Sequence, residues 1–313
     1  VKRQIDAYRR SLDAMGIKAD KLAASNLVGT SDGSEHQLGI GAAQGTGLDA
    51  GGVRLDGVAA QKVSAKLGAK GASVNAGSID GQGLAAGDIS AQSVNAKNVA
   101  LSTAEGNTSV TATEASGKGM KAGGITVTAA QAKALEVQVN AKGTTVRAAQ
   151  SGATGVSAGG ITVDSLTASE GSVSTGNGQT TAQAASVNAT GVGAGSTRIA
   201  NLGASGVNVA NGAQGTRVDV AQANAGGIVG DGYAVESMAV TGGAATVGAD
   251  GTQVTAQTAN AAKIKAGGAT LDRASASGLR VGHNEGTTTL GVDQGTASGV
   301  NAGGVDIANL GVT

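Results

Sequence analysis

Asp56, Asp164 and Asp272 each follow a glycine pair at the same distance, as Gly51-Gly52-x-x-x-Asp56, Gly159-Gly160-x-x-x-Asp164 and Gly267-Gly268-x-x-x-Asp272. Carboxylates repeated behind a glycine turn are the oxygen donors that a hard cation such as calcium takes. The equivalent places elsewhere hold Gln92, Thr128 and Ala200, so the ladder of acids is interrupted and a solvated strand edge is the expectation. A second series, Thr108, Thr144, Thr180, Thr216, Thr252 and Thr288, could organise water on a flat sheet. It comes once per 36 residues without a paired Thr-x-Thr array, which points to hydroxyls at turns. His36 and His283 stand alone, with no partner at ligand or triad spacing. Glu236 and Asp272 occupy one column of adjacent repeats with Tyr233 nearby, the best acid pair for glycosidic cleavage. One aromatic makes no platform for sugar rings. These residues assign no catalytic, cofactor-binding or metal-binding position, no cofactor and no small-molecule substrate, and the chain is expected not to be an enzyme.

What positions all of them is a strict 36-residue repeat. Ala50-Gly51-Gly52 recurs as Ala86-Gly87-Asp88, Ala122-Gly123-Gly124, Ala158-Gly159-Gly160, Ala194-Gly195-Ser196, Gly230-Asp231-Gly232, Ala266-Gly267-Gly268 and Ala302-Gly303-Gly304, without insertion or deletion. A fixed period of this length describes an array in which each unit packs on its neighbours.

Inside the repeat runs a five-residue rhythm: a larger apolar residue, any residue, a small apolar residue, then two mostly polar ones. Val74-x-Ala76, Ile79-x-Gly81, Leu84-x-Ala86, Ile89-x-Ala91, Val94-x-Ala96 and Val99-x-Leu101 show it. Residues two apart share a face only in an extended strand. A five-residue spacing drifts around a helix and leaves no apolar stripe. Short strands joined at corners, stacked coil on coil with two coils per repeat, predict a parallel β-solenoid. The bulkiest column is Leu48, Leu84, Met120, Val156, Val192, Ile228, Ile264 and Val300, and a minute column begins Gly45, Gly81, Gly117, Ala153. Gly47, Gly83, Gly119, Gly155, Gly191, Gly227 and Gly299 are expected at corners of special backbone angle. Six-residue links such as Ser102–Asn107 and Thr246–Gly251 are expected to form an exposed ridge.

Composition fits this reading. The 313 residues include 55 Gly and no Phe, Trp, Pro or Cys, so any core is narrow and built from Ala and Val. Gly without Pro or a Gly-X-Y period excludes collagen, and an apolar register held this long argues against disorder. Net charge is zero, which gives no global attraction for nucleic acid, and no run of about 18 apolar residues is present to span a membrane. Over residues 1–16, Val1, Ile5, Tyr8, Leu12 and Met15 follow an a/d seam, so the N-terminal helix is expected to be a cap or the end of a coiled coil. Residues 17–313 form the repeat domain. The chain starts at Val1 and its pattern stops at Leu310-x-Val312, which leads us to expect a fragment or an end that stacks.

The pentads, with Ala200-Asn201-Leu202-Gly203 and Ala308-Asn309-Leu310-Gly311, resemble the pentapeptide-repeat family, whose square solenoids stack five-residue sides. The large residue usually precedes the small one here, and 36 is not a multiple of that family's 20-residue coil. Ala122-Gly123-Gly124-Ile125-Thr126-Val127 resembles the Gly-rich haemagglutinin-type β-helices of bacterial adhesins, and the Gly-Gly-to-Asp spacing that of calcium β-rolls, without their second glycine pair. The fold class expected is all-β: a single-stranded parallel β-solenoid of eight 36-residue repeats with a short N-terminal α-helix. The function expected is a rigid stalk, spacer, spike or filament segment of a bacterial surface or secretion-related assembly, extracellular or at the cell surface. It would self-associate through the N-terminal helix or the solenoid ends. The alternatives are an adhesin using the link ridge or an outer strand face, and the repeat portion of a delivered effector.

Overall fold

The computed structural model describes residues 17–32, 35–50, 53–68, 71–248, 251–284 and 287–312. The expected helix over 1–16 lies outside the described residues. The chain divides into two compact units between Gly159 and Gly160. The first contains β1 (Ile17–Lys18), β2 (Lys21–Ser25), β3 (Val28–Ser31), β4 (Glu35–Ala50), β5 (Val53–Gly68), β6 (Gly71–Ala86), β7 (Ile89–Ala104), β8 (Asn107–Ala122), β9 (Ile125–Asn140) and β10 (Gly143–Ala158). The second contains β11 (Ile161–Gly176), β12 (Gln179–Ala194), β13 (Thr197–Gly212), β14 (Gly215–Gly230), β15 (Tyr233–Gly248), β16 (Gly251–Ala266), β17 (Ala269–Asn284), β18 (Thr287–Gly291), β19 (Gln294–Ala302) and β20 (Val305–Val312).

A 16-residue strand and a two-residue connection together make half of the 36-residue period, so each repeat is one hairpin. The expected two passes per repeat are present, but they run in opposite directions. Within each unit the long strands pair antiparallel with their chain neighbours, as in Ala76↔Val99 of β6 and β7 and Val94↔Gly117 of β7 and β8, while β1, β2 and β3 all pair with β4, and β18 and β19 both with β17. This corrects the parallel solenoid. Among the described residues β4 does not pair with β10, nor β11 with β20, so neither sheet closes.

The reversal is made by tight turns. Gly123 and Gly124 have φ of 51° and 84°, and Glu105 and Gly106 have 50° and 76°, both left-handed as a type I′ hairpin turn requires. The Ala-Gly-Gly marker and the polar link are therefore the two ends of the hairpin. The marker is not a coil corner, and the link is not a bulge from a coil. Parallel coils would need a crossover, whereas a two-residue I′ connection can only return the chain beside itself.

The pentads survive as bends within each long strand. In β6, Val74, Ala76, Ile79, Gly81, Leu84 and Ala86 are partly or fully buried, while Asn75, Asp80 and Gln82 are exposed. The inward set changes parity at Gly77 and again at Gly83, where φ is +61°. Pairing keeps one offset through the bend, with Arg54↔Ala85 on one side of Asp56/Gly83 and Val58↔Gly81 on the other. No residue is inserted, unlike a β-bulge. The bends line up strand after strand, and at each only alternate strands use a left-handed residue, as at Gly47, Gly83 and Gly119.

Inward columns merge across the hairpins. Gly45↔Val58, Val58↔Gly81, Gly81↔Val94 and Val94↔Gly117 put small against large residues in the first unit. Ala189↔Leu202, Leu202↔Ala225 and Ala225↔Met238 do the same in the second. The minute column is thus small because its strand neighbour fills the space: a Cβ at Gly81 would come within 2.8 Å of Val94 Cγ2. The bulky column pairs with its own kind, through Val192↔Ile199, Ile199↔Ile228 and Ile228↔Val235. Ile228, 8% exposed, is the large residue among the buried apolar set, which otherwise consists of alanines such as Ala76 and Ala189. The core is a thin, single-sheet core.

Candidate functional site

The sheet spreads the residues singled out above rather than gathering them. Asp56, Asp164 and Asp272 sit at bends, each lying over the left-handed glycine of the next strand: Gly83, Gly191 and Gly299. A Cβ on any of those glycines would collide with the facing carboxylate. The acids thus fill space that glycine leaves. Among the described residues no group of three or more His, Asp or Glu could hold a metal ion. Elsewhere the exchange runs the other way: Lys62 and Asn26 take positive φ, 51° and 53°, opposite Gly77 and Gly41. At Asn98, φ 47°, both partners keep side chains, and the Asn98 amide donates to Thr113 Oγ1 at 3.0 Å.

Glu236 and Asp272 lie on β15 and β17, separated by the intervening strand β16. Their two flanking registers, Tyr233↔Ala266 and Ala266↔Ala269, place Lys263 of β16 at the same bend between them. Two strand steps, about 9.6 Å of backbone, separate the acids. Tyr233 lies against Gly230 and shares a hydrogen bond with Thr197 Oγ1 at 2.8 Å, so its ring closes a hairpin end.

The threonine series lies beside hairpin turns. Thr175 and Thr180 hydroxyls meet across one turn at 3.3 Å, and Thr288 Oγ1 meets His283 Nδ1 at 2.9 Å across another. His36 Nδ1 makes the matching contact with Ser31 Oγ at 2.8 Å. Both histidines therefore serve as turn partners.

One outward row differs in charge between the two units, while ion pairs such as Arg217–Asp219 and Arg280–Asp293 stand elsewhere on the second. In the first, Lys97 Nζ donates to Glu114 Oε2 at 2.8 Å, and Lys133 is the next residue in that row, Glu114↔Lys133. The hydrogen bond with Lys97, with its charge, holds Glu114 below the ordinary carboxylate range, and the same bond raises Lys97. Asn95 donates to Asp80 in the adjacent row. In the second unit the row corresponding to Lys97 reads Ser169, Ser186, Ser205, Gln222, Thr241, Thr258, Ser277, Gln294. It is uncharged and partly self-satisfied, with Ser169–Ser186 at 2.8 Å and Thr241–Thr258 at 2.6 Å.

Two concave regions stand out. One, about 270 Å³, is apolar and lies on the inward side of the first strands, against Leu22, Leu27, Ile40 and Val58. The other, about 760 Å³, runs along the outward side of β14 to β20. Asn224, Asn260, Ser275 and Thr296 line it from one row and Ser237, Arg273, Ser298 and Asn309 from the next. The sequence allows an outer strand face as a binding surface but singles out none of these residues. The recurrence of Asn188, Asn224 and Asn260 at the repeat period was the available signal.

No protein-family model and no curated protein matches the chain. The pentapeptide-repeat and haemagglutinin-type resemblances thus rest on residue pattern alone. Among the described residues no helix is long and apolar enough to cross a membrane.

Proposed function

We propose that the chain is a non-enzymatic structural element: a rigid stalk, spacer, spike or filament segment of a bacterial surface or secretion-related assembly, working outside the cell. The observation that carries this reading is the hairpin register repeated within each unit, in which each 36-residue repeat of long strands adds the same increment to its sheet. Stacking of identical supersecondary units sets length by repeat number and leaves each unit dependent on its neighbours alone. Self-association through a strand edge is part of this reading. Such an edge is a template for another strand. An amphipathic segment at 1–16 would serve as cap or assembly helix.

The experiment is an in-frame series in the source organism lacking residues 107–142, or carrying them twice, with the protein located on intact cells by antibody labelling. The spacer reading expects surface labelling, and a graded change in assembly dimensions of about 10 Å per repeat. Strictly cytoplasmic labelling, or assembly dimensions indifferent to repeat number, would overturn it.

A further inference from the structure

We propose that the outward trough of the second unit is a binding site for a neutral, extended glycan chain. The walls are two rows of side chains in continuous register. One is Asn224↔Ala239, Ala239↔Asn260, Asn260↔Ser275, Ser275↔Thr296, and the other Ser237↔Ala262, Ala262↔Arg273, Arg273↔Ser298, Ser298↔Asn309. The rows stand two residues apart, so the floor between them is the backbone of inward residues such as Ala261 and Ala274. From β14 to β20 the trough crosses five strand steps, about 24 Å.

Its chemistry selects the ligand. Asn224 and Asn260 offer both donor and acceptor, Ser237, Ser275 and Thr296 add hydroxyls, and Arg273 is the single charge. No side-chain hydrogen bond joins these residues to one another, in contrast to the neighbouring Thr241–Thr258 row. They are exposed and open to an incoming partner. Within the lining a polyanion would meet one cation and a polycation no acid, Glu236 and Asp272 standing at the adjoining bend. An extended peptide binds sheets by adding to an edge, but the trough floor is interior to the sheet and its backbone is already paired. A polyhydroxylated chain needs only paired donors and acceptors, which the walls supply. Between the amides, Ala239 and Ala262 leave small apolar places against which the C–H faces of pyranose rings can lie. Asn224 and Asn260 are two strand steps apart, about 9.6 Å, close to the length of a disaccharide unit in an extended chain. The corresponding rows of the first unit carry Asp80 and Lys118, one charge of each sign, where the walls of the trough carry Arg273 alone.

The test is isothermal titration of the full chain with a β-1,4-linked glucose hexamer, a β-1,4-linked N-acetylglucosamine hexamer and, as a polyanion, hexagalacturonate. The expected result is binding of at least one neutral hexamer and none of the polyanion. Asn224→Ala with Asn260→Ala should weaken that binding by about tenfold or more, since two hydrogen-bonding amides are lost. Asn95→Ala, in the matching row of the first unit, should leave it unchanged. Amide NMR shifts on adding the bound hexamer should fall on β14–β20, which keeps the test open if the double variant folds poorly. Absence of binding by both neutral hexamers at millimolar concentration overturns the proposal. So does a folded double variant that binds like wild type, polyanion binding of equal strength, or shifts confined to the first unit.

Discussion

Gly83 and Asp56 allow the logic of the strand bends to be measured. Gly83 has φ +61°, and its missing Cβ is where the Asp56 carboxylate lies. The bend at Asn26 and Gly41 has the opposite arrangement: the left-handed residue carries the side chain and its partner is glycine. Exchanging the first kind for the second, Gly83→Asn with Asp56→Gly, should therefore be tolerated where each single change is not. Asp56→Gly alone removes a side chain from a strand and costs about 0.5–1 kcal/mol. Gly83→Asn alone adds atoms to occupied space, an overpacking cost of about 1–3 kcal/mol; Asn is chosen because it accepts left-handed φ at small cost. Independent effects would sum to about 1.5–4 kcal/mol, whereas the exchange should return the protein to within about 1 kcal/mol of wild type. That is a coupling of at least about 0.5 kcal/mol in a double-mutant cycle. Urea denaturation of the full chain followed by far-UV circular dichroism gives the four midpoints. A double variant as unstable as the sum of its singles would refute the reasoning.

Core depth should be visible in a pair of truncations: Ile228→Ala, at an 8% exposed position, should cost about 2–4 kcal/mol, while Ile89→Ala, 54% exposed, should cost under about 1 kcal/mol by the area it still hides, both read as urea midpoints. Removal of residues 107–124 deletes one strand of a hairpin and sets like bends out of register, so circular dichroism should show a larger loss of strand signal than removal of 107–142, which takes out a whole hairpin. Glu114, held below its usual range by Lys97, contributes stability that is present above the ordinary glutamate pKa of 4.5 and is lost as pH falls through the depressed folded value. Glu114→Gln should thus show its small midpoint difference from wild type at neutral pH and none at pH well below 4.5; a difference that grows on acidification would contradict the assignment.

Much of this fold could be read from residues alone. The pentads pick out the inward set within the strands, as in β6, but not at the strand starts, where Ile89, Ile125 and Ile161 are exposed; the glycines at 47, 83 and 119 have the special backbone angles expected of them. Strand direction was not recoverable from the pentads, for a definite reason. In β5 the pentad positions Val53, Leu55, Val58, Ala60, Val63 and Ala65 have the same spacing read from either end. Parallel and antiparallel stacking therefore bury the same residues. Direction was written instead in the connections, where Gly123-Gly124 and Asn177-Gly178 carry the residues of a two-residue hairpin. The candidate sites dissolved for a similar reason. Asp56 and Asp272 look like ligands in one dimension, but each is occupied in filling the place of a missing Cβ. The trough on β14–β20 is not legible in any one stretch of sequence because each wall draws a single residue from successive strands, in segments running in opposite senses.

The hairpin connection also governs how the molecule can be made. Among the described residues no strand pairing spans more sequence than that of Ile17 with Ala50, and within each unit the partners of each long strand are the segments just before and after it. Contact order is therefore low for an all-β chain, and the entropy of loop closure is met one short turn at a time. A growing chain can zip each new strand onto the last finished one as it emerges, whether from a ribosome or from a narrow conduit, without waiting for distant sequence. At every moment one raw edge is exposed, and it is the next strand in the chain that covers it.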